Sequence, residues 1–200
     1  HTIAKVRDEA ETQEIVATWL GAFEKALAGG DETVLASLLD DGCNWRDVLA
    51  FTWHLTAHVG AEEIAKNLVV RQPAVSAHGL KISANRTPPR RVKRLGRDCI
   101  EAIYGFETKA GHGEGALRLV PALDGVGAAG HKAWVISTSL EELGGYEEKI
   151  GANRPSGAAF SRNFGGDNWE DARRGAQSYE DRDPTVLVVG GAQAGLSIAA

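Results

Sequence analysis

The stretch Cys99-Ile100-Glu101-Ala102-Ile103-Tyr104-Gly105-Phe106-Glu107-Thr108 sets Ile100, Ala102, Tyr104 and Phe106 against Glu101, Ile103 and Gly105. Successive side chains of a strand point to opposite faces, so this alternation predicts one buried and one mixed face. Residues 91–95, 116–120 and 132–140 read as further strands around it. Residues 96–98, 109–115 and 123–130 supply turn chemistry between them. Strands adjacent in sequence form antiparallel hairpins most simply.

Upstream the period changes. Ile15, Val16, Trp19, Leu20, Phe23 and Leu27 recur at helical spacing and predict a helix over residues 11–28. Glu11, Glu14, Glu24 and Lys25 take its other face, and Gly29-Gly30 ends it. Asp31 is a good N-cap for a second helix carrying Val34, Leu35, Leu38 and Leu39, closed by Asp40-Asp41-Gly42. Residues 43–53 are aromatic-rich and read as a short strand or hairpin. Residues 60–70 read as a third helix with Ile64, Leu68 and Val69 inward. Helices followed by antiparallel strands give an α+β domain over residues 1–143, its helices on one concave sheet face.

Residues 144–183 turn polar and glycine-rich, and read as a linker lying against another domain through Phe160, Phe164, Trp169 and Tyr179. Residues 184–200 differ again. Thr185-Val186-Leu187-Val188-Val189 is the continuous apolar run of a strand covered on both faces. Gly190-Gly191-Ala192-Gln193-Ala194-Gly195 then fits Gly-x-Gly-x-x-Gly, with Ala192 in place of the middle glycine. Leu196, Ile198, Ala199 and Ala200 open an apolar helix. In a dinucleotide-binding unit such a turn holds pyrophosphate at the helix N-terminus, and the third glycine lets helix pack on strand. One parallel strand cannot make that domain alone. The expectation is therefore the first βα turn of an α/β Rossmann-type FAD domain, in the front part of a longer polypeptide.

Composition narrows the classes. A 43% hydrophobic and 24% charged chain is that of an ordinary globular protein. The net charge of -5 disfavours a nucleic-acid partner. No apolar run has the length of a membrane span, and no signal-peptide pattern opens the chain. Cys43 and Cys99 have no metal spacing and are too few for a disulfide framework, so a cytoplasmic setting is expected.

Three helices before a curved antiparallel sheet resemble the cone-shaped nuclear transport factor 2-like (SnoaL-like) fold. Val16-Ala17-Thr18-Trp19-Leu20, Asn44-Trp45-Arg46-Asp47 and Lys132-Ala133-Trp134 carry that likeness. With the junction from Arg182 into Gly190-Gly191, the whole chain resembles the N-terminal part of flavin-containing monooxygenase-like oxidoreductases that carry such a domain in front. That resemblance implies FAD and NADPH as cofactors. It implies a flavin hydroperoxide that transfers one oxygen atom to a small-molecule substrate. It places FAD-binding residues at Gly190, Gly191, Ala192, Gln193, Ala194 and Gly195. Two alternatives stay open: a non-catalytic cone module that dimerises or covers another domain, and a small-molecule isomerase or hydrolase of the cone fold.

Trp45, Asp47, Trp53, His54, Tyr104 and Trp134 are the residues expected to line a cone pocket. Asp47 with His54 there is a candidate acid–base pair, because burial shifts both groups. The other reading makes the aromatics core and the polar pair structural or exposed. His54 and His58 lie at helical i, i+4 spacing, but Thr52-Trp53 reads as strand and no carboxylate completes a zinc motif, so no metal site is expected. Arg86, Arg90, Arg91, Lys93, Arg94 and Arg97 form a basic cluster, read either as a contact for phosphate or an acidic partner, or as a solvated strand edge.

Overall fold

The structure, a computed structural model, describes residues 2–151, 154, 166–184 and 186–199. The chain divides into two units, His1–Glu148 and Lys149–Ala200. In the first, α1 (Thr2–Gly29) carries the expected apolar stripe, with Val16, Trp19, Leu20, Phe23 and Leu27 buried. It begins at Thr2 rather than at residue 11. Thr12, polar yet buried, is the reason to look further upstream: its hydroxyl lies 2.9 Å from the Glu9 carbonyl and 3.3 Å from that of Pro89.

Asp31 caps α2 (Glu32–Ser37) by accepting from the Val34 N–H at 2.9 Å, as expected. The helix stops sooner than its apolar spacing implies. The Leu38 carbonyl accepts from Ala133 N–H at 2.9 Å, and Leu39 pairs with Ala133. Ladder formation thus captures the segment, and Asp40-Asp41-Gly42 lies inside β1 (Leu39–Val48) instead of closing a helix. β2 (Leu55–Val59) completes a hairpin with β1. α3 (Ala61–Val75) runs past residue 70 and through Pro73 before Ser76 ends it at φ 52°.

The remaining strands are β3 (His78–Ile82), β4 (Arg90–Arg94), β5 (Arg97–Glu107), β6 (Gly111–Pro121) and β7 (His131–Leu143). The sheet order is β2-β1-β7-β6-β5-β3, with β4 sharing the outer edge of β5. The β4–β5, β5–β6 and β6–β7 pairs are antiparallel, as the sequence order implies. Among the described ladders β1–β7 is the parallel one, with Trp45 opposite Ile136 and Asp47 opposite Thr138. Its partners are about ninety residues apart in sequence, so no local pattern announces it. Ile100, Ala102, Tyr104 and Phe106 do face inward, meeting Trp19, Leu20 and Leu68 from the helices in one core cluster.

Residues 109–115 are not all turn. Gly113 pairs with Phe106 and Gly115 with Tyr104 inside β6. A Cβ at Gly113 would enter the Phe106 ring, and one at Gly115 would lie 2.6 Å from Tyr104 Cζ. These glycines therefore leave room for aromatic rings laid across the sheet, a strand use of glycine.

In the second unit, Asn168 caps α4 (Trp169–Ser178) by accepting from Glu170 and Asp171 N–H. Trp169–Ser178, within the segment read as a linker, is therefore helical. Phe160 and Phe164 lie outside the described residues, while Trp169 and Tyr179 are exposed beneath Arg173 and Arg182. The Rossmann expectation is also corrected. Val186, Leu187 and Val189 belong to no ladder and are 68%, 76% and 90% exposed. Thr185 lies outside the described residues. Local β-propensity is satisfied only where a neighbouring strand offers N–H and C=O groups, and no described strand does so here. α5 (Gln193–Ala199) does follow, with Gly190 at φ 114°. A Cβ at Gly195 would collide with the Gly190 carbonyl, so its close approach closes a local turn.

Candidate functional site

Asp47 is fully buried near the end of β1. One carboxylate oxygen, Oδ1, accepts from the Thr138 hydroxyl at 2.6 Å. The other, Oδ2, accepts from Thr52 N–H at 2.9 Å and from the Thr52 hydroxyl at 2.7 Å. Phe51 N–H lies 3.1 and 3.0 Å from the two oxygens. The parallel β1–β7 register brings Thr138 opposite Asp47. Thr138 in turn accepts from Trp45 Nε1–H at 3.0 Å. A buried carboxylate is tolerable when its lone pairs are met in this way.

These bonds fix the segment between β1 and β2. Leu49 and Trp53 both sit in the left-handed region, at φ 66° and 55°. That conformation is costly for bulky residues and persists only where surroundings over-determine it. Asp47 provides that constraint from below, and Thr52 Oγ1 accepts from His54 N–H at 3.2 Å. Trp53 consequently stands out of the fold at 59% exposure.

The expected pocket residues therefore separate. Trp45, Asp47 and Tyr104 are buried together, Tyr104 donating to the Ser137 carbonyl at 2.9 Å. Trp53 and His54 face solvent. Trp134 lies on the outer side of β7 under the Arg97 guanidinium, 4.8 Å from its ring centroid. The hydrogen bonds of the Asp47 carboxylate go to backbone and hydroxyl donors and not to His54. The histidine that does enter this region is His58, stacked on Trp45 at 5.2 Å and 3.7 Å from Glu63. Its Nε2 is buried with no partner among the described residues. Alternation over residues 55–59 would have turned His58 outward, since Leu55, Ala57 and Val59 share the opposite face, yet Leu55 and Val59 are the exposed ones.

The cone interior itself is nearly filled. Phe23, Leu27, Phe51, Tyr104, Phe106 and Thr138 surround a cavity of about 10 Å³, about the room of one water molecule. Burial, and then Asp40, pushes the Cys43 thiol up to about 12, so it stays protonated in the core. The basic cluster is neutralised within the chain: Arg86 pairs with Glu114, Arg90 and Arg94 with Glu101, Arg91 with Asp8 and Glu11, and Arg97 with Asp40. It is a charged strand edge, not a free anion site. Among the described residues no group of His, Cys, Asp or Glu could hold a metal ion, and no helix is long and apolar enough to cross a membrane.

No family model matches the chain, and no curated protein matches its sequence. Solved structures are similar to part of the chain. A protein with a cystatin-like fold from Caulobacter vibrioides has 10% identity, covering 66% of this chain and 91% of its own, at a TM-score of 0.47. A nuclear transport factor 2-like protein with a cystatin-like fold from Novosphingobium aromaticivorans has 12% identity, covering 70% and 86%, at 0.44. By its own strand order and helix placement the first unit is a cone of helices packed on a sheet.

The flavin-dependent monooxygenase reading is corrected here, and with it FAD, NADPH and the oxidoreductase class. A dinucleotide fold needs parallel strands flanking the one before the glycine turn. The described residues build a cone sheet, and its parallel pair, β1–β7, lies within the cone. Gly190, Gly191, Ala192, Gln193, Ala194 and Gly195 make a short turn into a seven-residue helix, and the described residues of that unit include no strand.

Proposed function

We propose that the cone unit is a non-catalytic interaction module. The observation that carries this is Asp47: the acid best placed for chemistry is occupied by four donors and holds a surface segment in shape. The nearly filled interior supports the same reading, since a catalytic or ligand-binding cone needs room for its substrate. A module of this kind works through its surface, and the pinned segment presents Leu49 and Trp53 to solvent.

One observation favours a second reading, a binder of small apolar molecules. A groove of about 500 Å³ outside the cone shares Leu27 and Ala77 with the inner cavity. Rotation of the Leu27 side chain is the movement that would join them. The experiment that separates the readings is titration of the full chain with anilinonaphthalene sulfonate, followed by amide NMR. The interaction reading expects no saturable change at Phe51, Tyr104 or Phe106. Saturable shifts at those core positions would overturn it in favour of the ligand binder.

A further inference from the structure

The parallel pairing of β1 and β7 sends the C-terminal ends of both strands to the same end of the sheet. There the pinned segment after β1 meets the tail of β7. Between them runs a surface groove of about 300 Å³. Its apolar walls are Leu49, Trp53, Leu140 and Leu143, with Tyr146 at one end. Trp53, Leu143 and Tyr146 are 59%, 44% and 84% exposed. An exposed cluster of tryptophan, tyrosine and leucine is the composition of a recognition centre rather than of an idle surface.

The charge on this groove has one sign. Glu141, Glu142 and Glu148 line it, and no lysine or arginine does. Several acids elsewhere on the unit are paired: Glu101 with Arg90, Arg94 and Arg118, Glu114 with Arg86, and Asp124 with Lys132. No cation lines the groove itself, and Arg86 acts on Glu141 only through its charge at longer range. An apolar slot with a rim of carboxylates complements a chain segment with apolar side chains between basic ones.

We propose that this groove docks a basic, apolar-bearing peptide segment of a partner protein, with Trp53 as the central anchor. The apolar side chains of the segment enter between Trp53 and Leu140, and its lysines or arginines meet Glu141, Glu142 and Glu148. The strained backbone at Leu49 and Trp53 holds the anchor before the partner arrives, which lowers the ordering cost of binding. The inference rests on the interaction-module reading and adds to it the site and the chemistry of the partner.

The test uses the full chain and two synthetic peptides, acetyl-Arg-Leu-Lys-Leu-Arg-amide and its counterpart with glutamate at each basic position. The basic peptide is expected to shift the Trp53 indole signal and the amides of residues 49–55 and 140–146, more weakly as salt rises. The acidic peptide is expected to leave them unchanged. Trp53→Ala, an exposed change that leaves the core intact, is expected to weaken binding at least about tenfold. The double variant Glu141→Lys with Glu142→Lys is expected to exchange the peptide preference. The proposal is overturned by no shift at millimolar basic peptide, by equal shifts with both peptides, or by shifts centred on another face. Dilution-dependent Trp53 shifts without peptide would give the groove to a second copy and equally overturn it. None of these outcomes depends on the core amides that decide the broader reading.

Discussion

At the scale of single residues, Asp47 shows how a side chain that looks catalytic becomes architectural. Its carboxylate accepts from Phe51 and Thr52 N–H and from the Thr52 and Thr138 hydroxyls. Asp47→Asn would keep the size but turn an amide N–H₂ towards at least one of these donors. The expected loss is about 2–4 kcal/mol, read as a lower urea midpoint, because bonds to a charged acceptor are lost and a buried donor is left unmet. Amide exchange should quicken at Phe51 and Thr52 first. His54→Ala should stay within about 0.5 kcal/mol, as changes at exposed side chains do. Equal effects of the two changes would contradict this account. The sequence showed an Asp beside aromatics; that its donors come from residues 51, 52 and 138 was set by folding.

At the scale of elements, the cone depends on which strand positions are left empty. Gly115 faces Tyr104, and a Cβ there would also strike the Ser137 carbonyl. Gly115→Ala is expected to lower stability by about 1–3 kcal/mol, since backbone cannot yield as a flexible side chain can. Gly21, inside α1, has nothing within 4 Å of its ideal Cβ. Gly21→Ala is expected to raise stability by about 0.5–1 kcal/mol. Thermal unfolding of the two variants against the parent checks both signs. The helices were legible because their signals are local: the stripe on α1, the Asp31 cap, the Gly30 stop. β3 was missed because His78-Gly79-Leu80-Lys81-Ile82 is short and opens on a glycine. It exists because β5 offers it an edge and Glu24 of α1 accepts from Gly79 and Leu80 N–H.

At the scale of the whole molecule, acid stability reports how the sheet is tied together. Glu101 on β5 binds Arg94 and Arg90 of β4 and Arg118 of β6. These bonds, that with Arg94 first, hold its carboxyl down to about 2. The folded value lies below the unfolded one of about 4.3. Its contribution is therefore complete above pH about 5 and is lost as pH falls towards 2. Glu101→Gln is expected to flatten that part of the stability–pH curve by on the order of 1–2 kcal/mol, the exposure of the arginines reducing the effect. Urea unfolding from pH 6 down to pH 3 measures it, and parallel curves for parent and variant would contradict the assignment.

What the sequence by itself determined is what periodicity, caps and turns encode within a few residues. That includes the three helices of the first unit, much of the strands β4 to β7, the inward row from Ile100 to Phe106, and the α+β class. The tertiary structure decided the rest. It paired β1 with β7 across about ninety residues, placed Thr138 under Asp47, turned Trp53 outward and laid Tyr104 and Phe106 over glycines. It also left residues 186–189 without a ladder, although their composition suits a strand. The physical reason is common to all of these: a propensity is local to its residue, whereas a hydrogen-bond ladder, a buried carboxylate and a packed ring each need a partner that only the folded chain supplies.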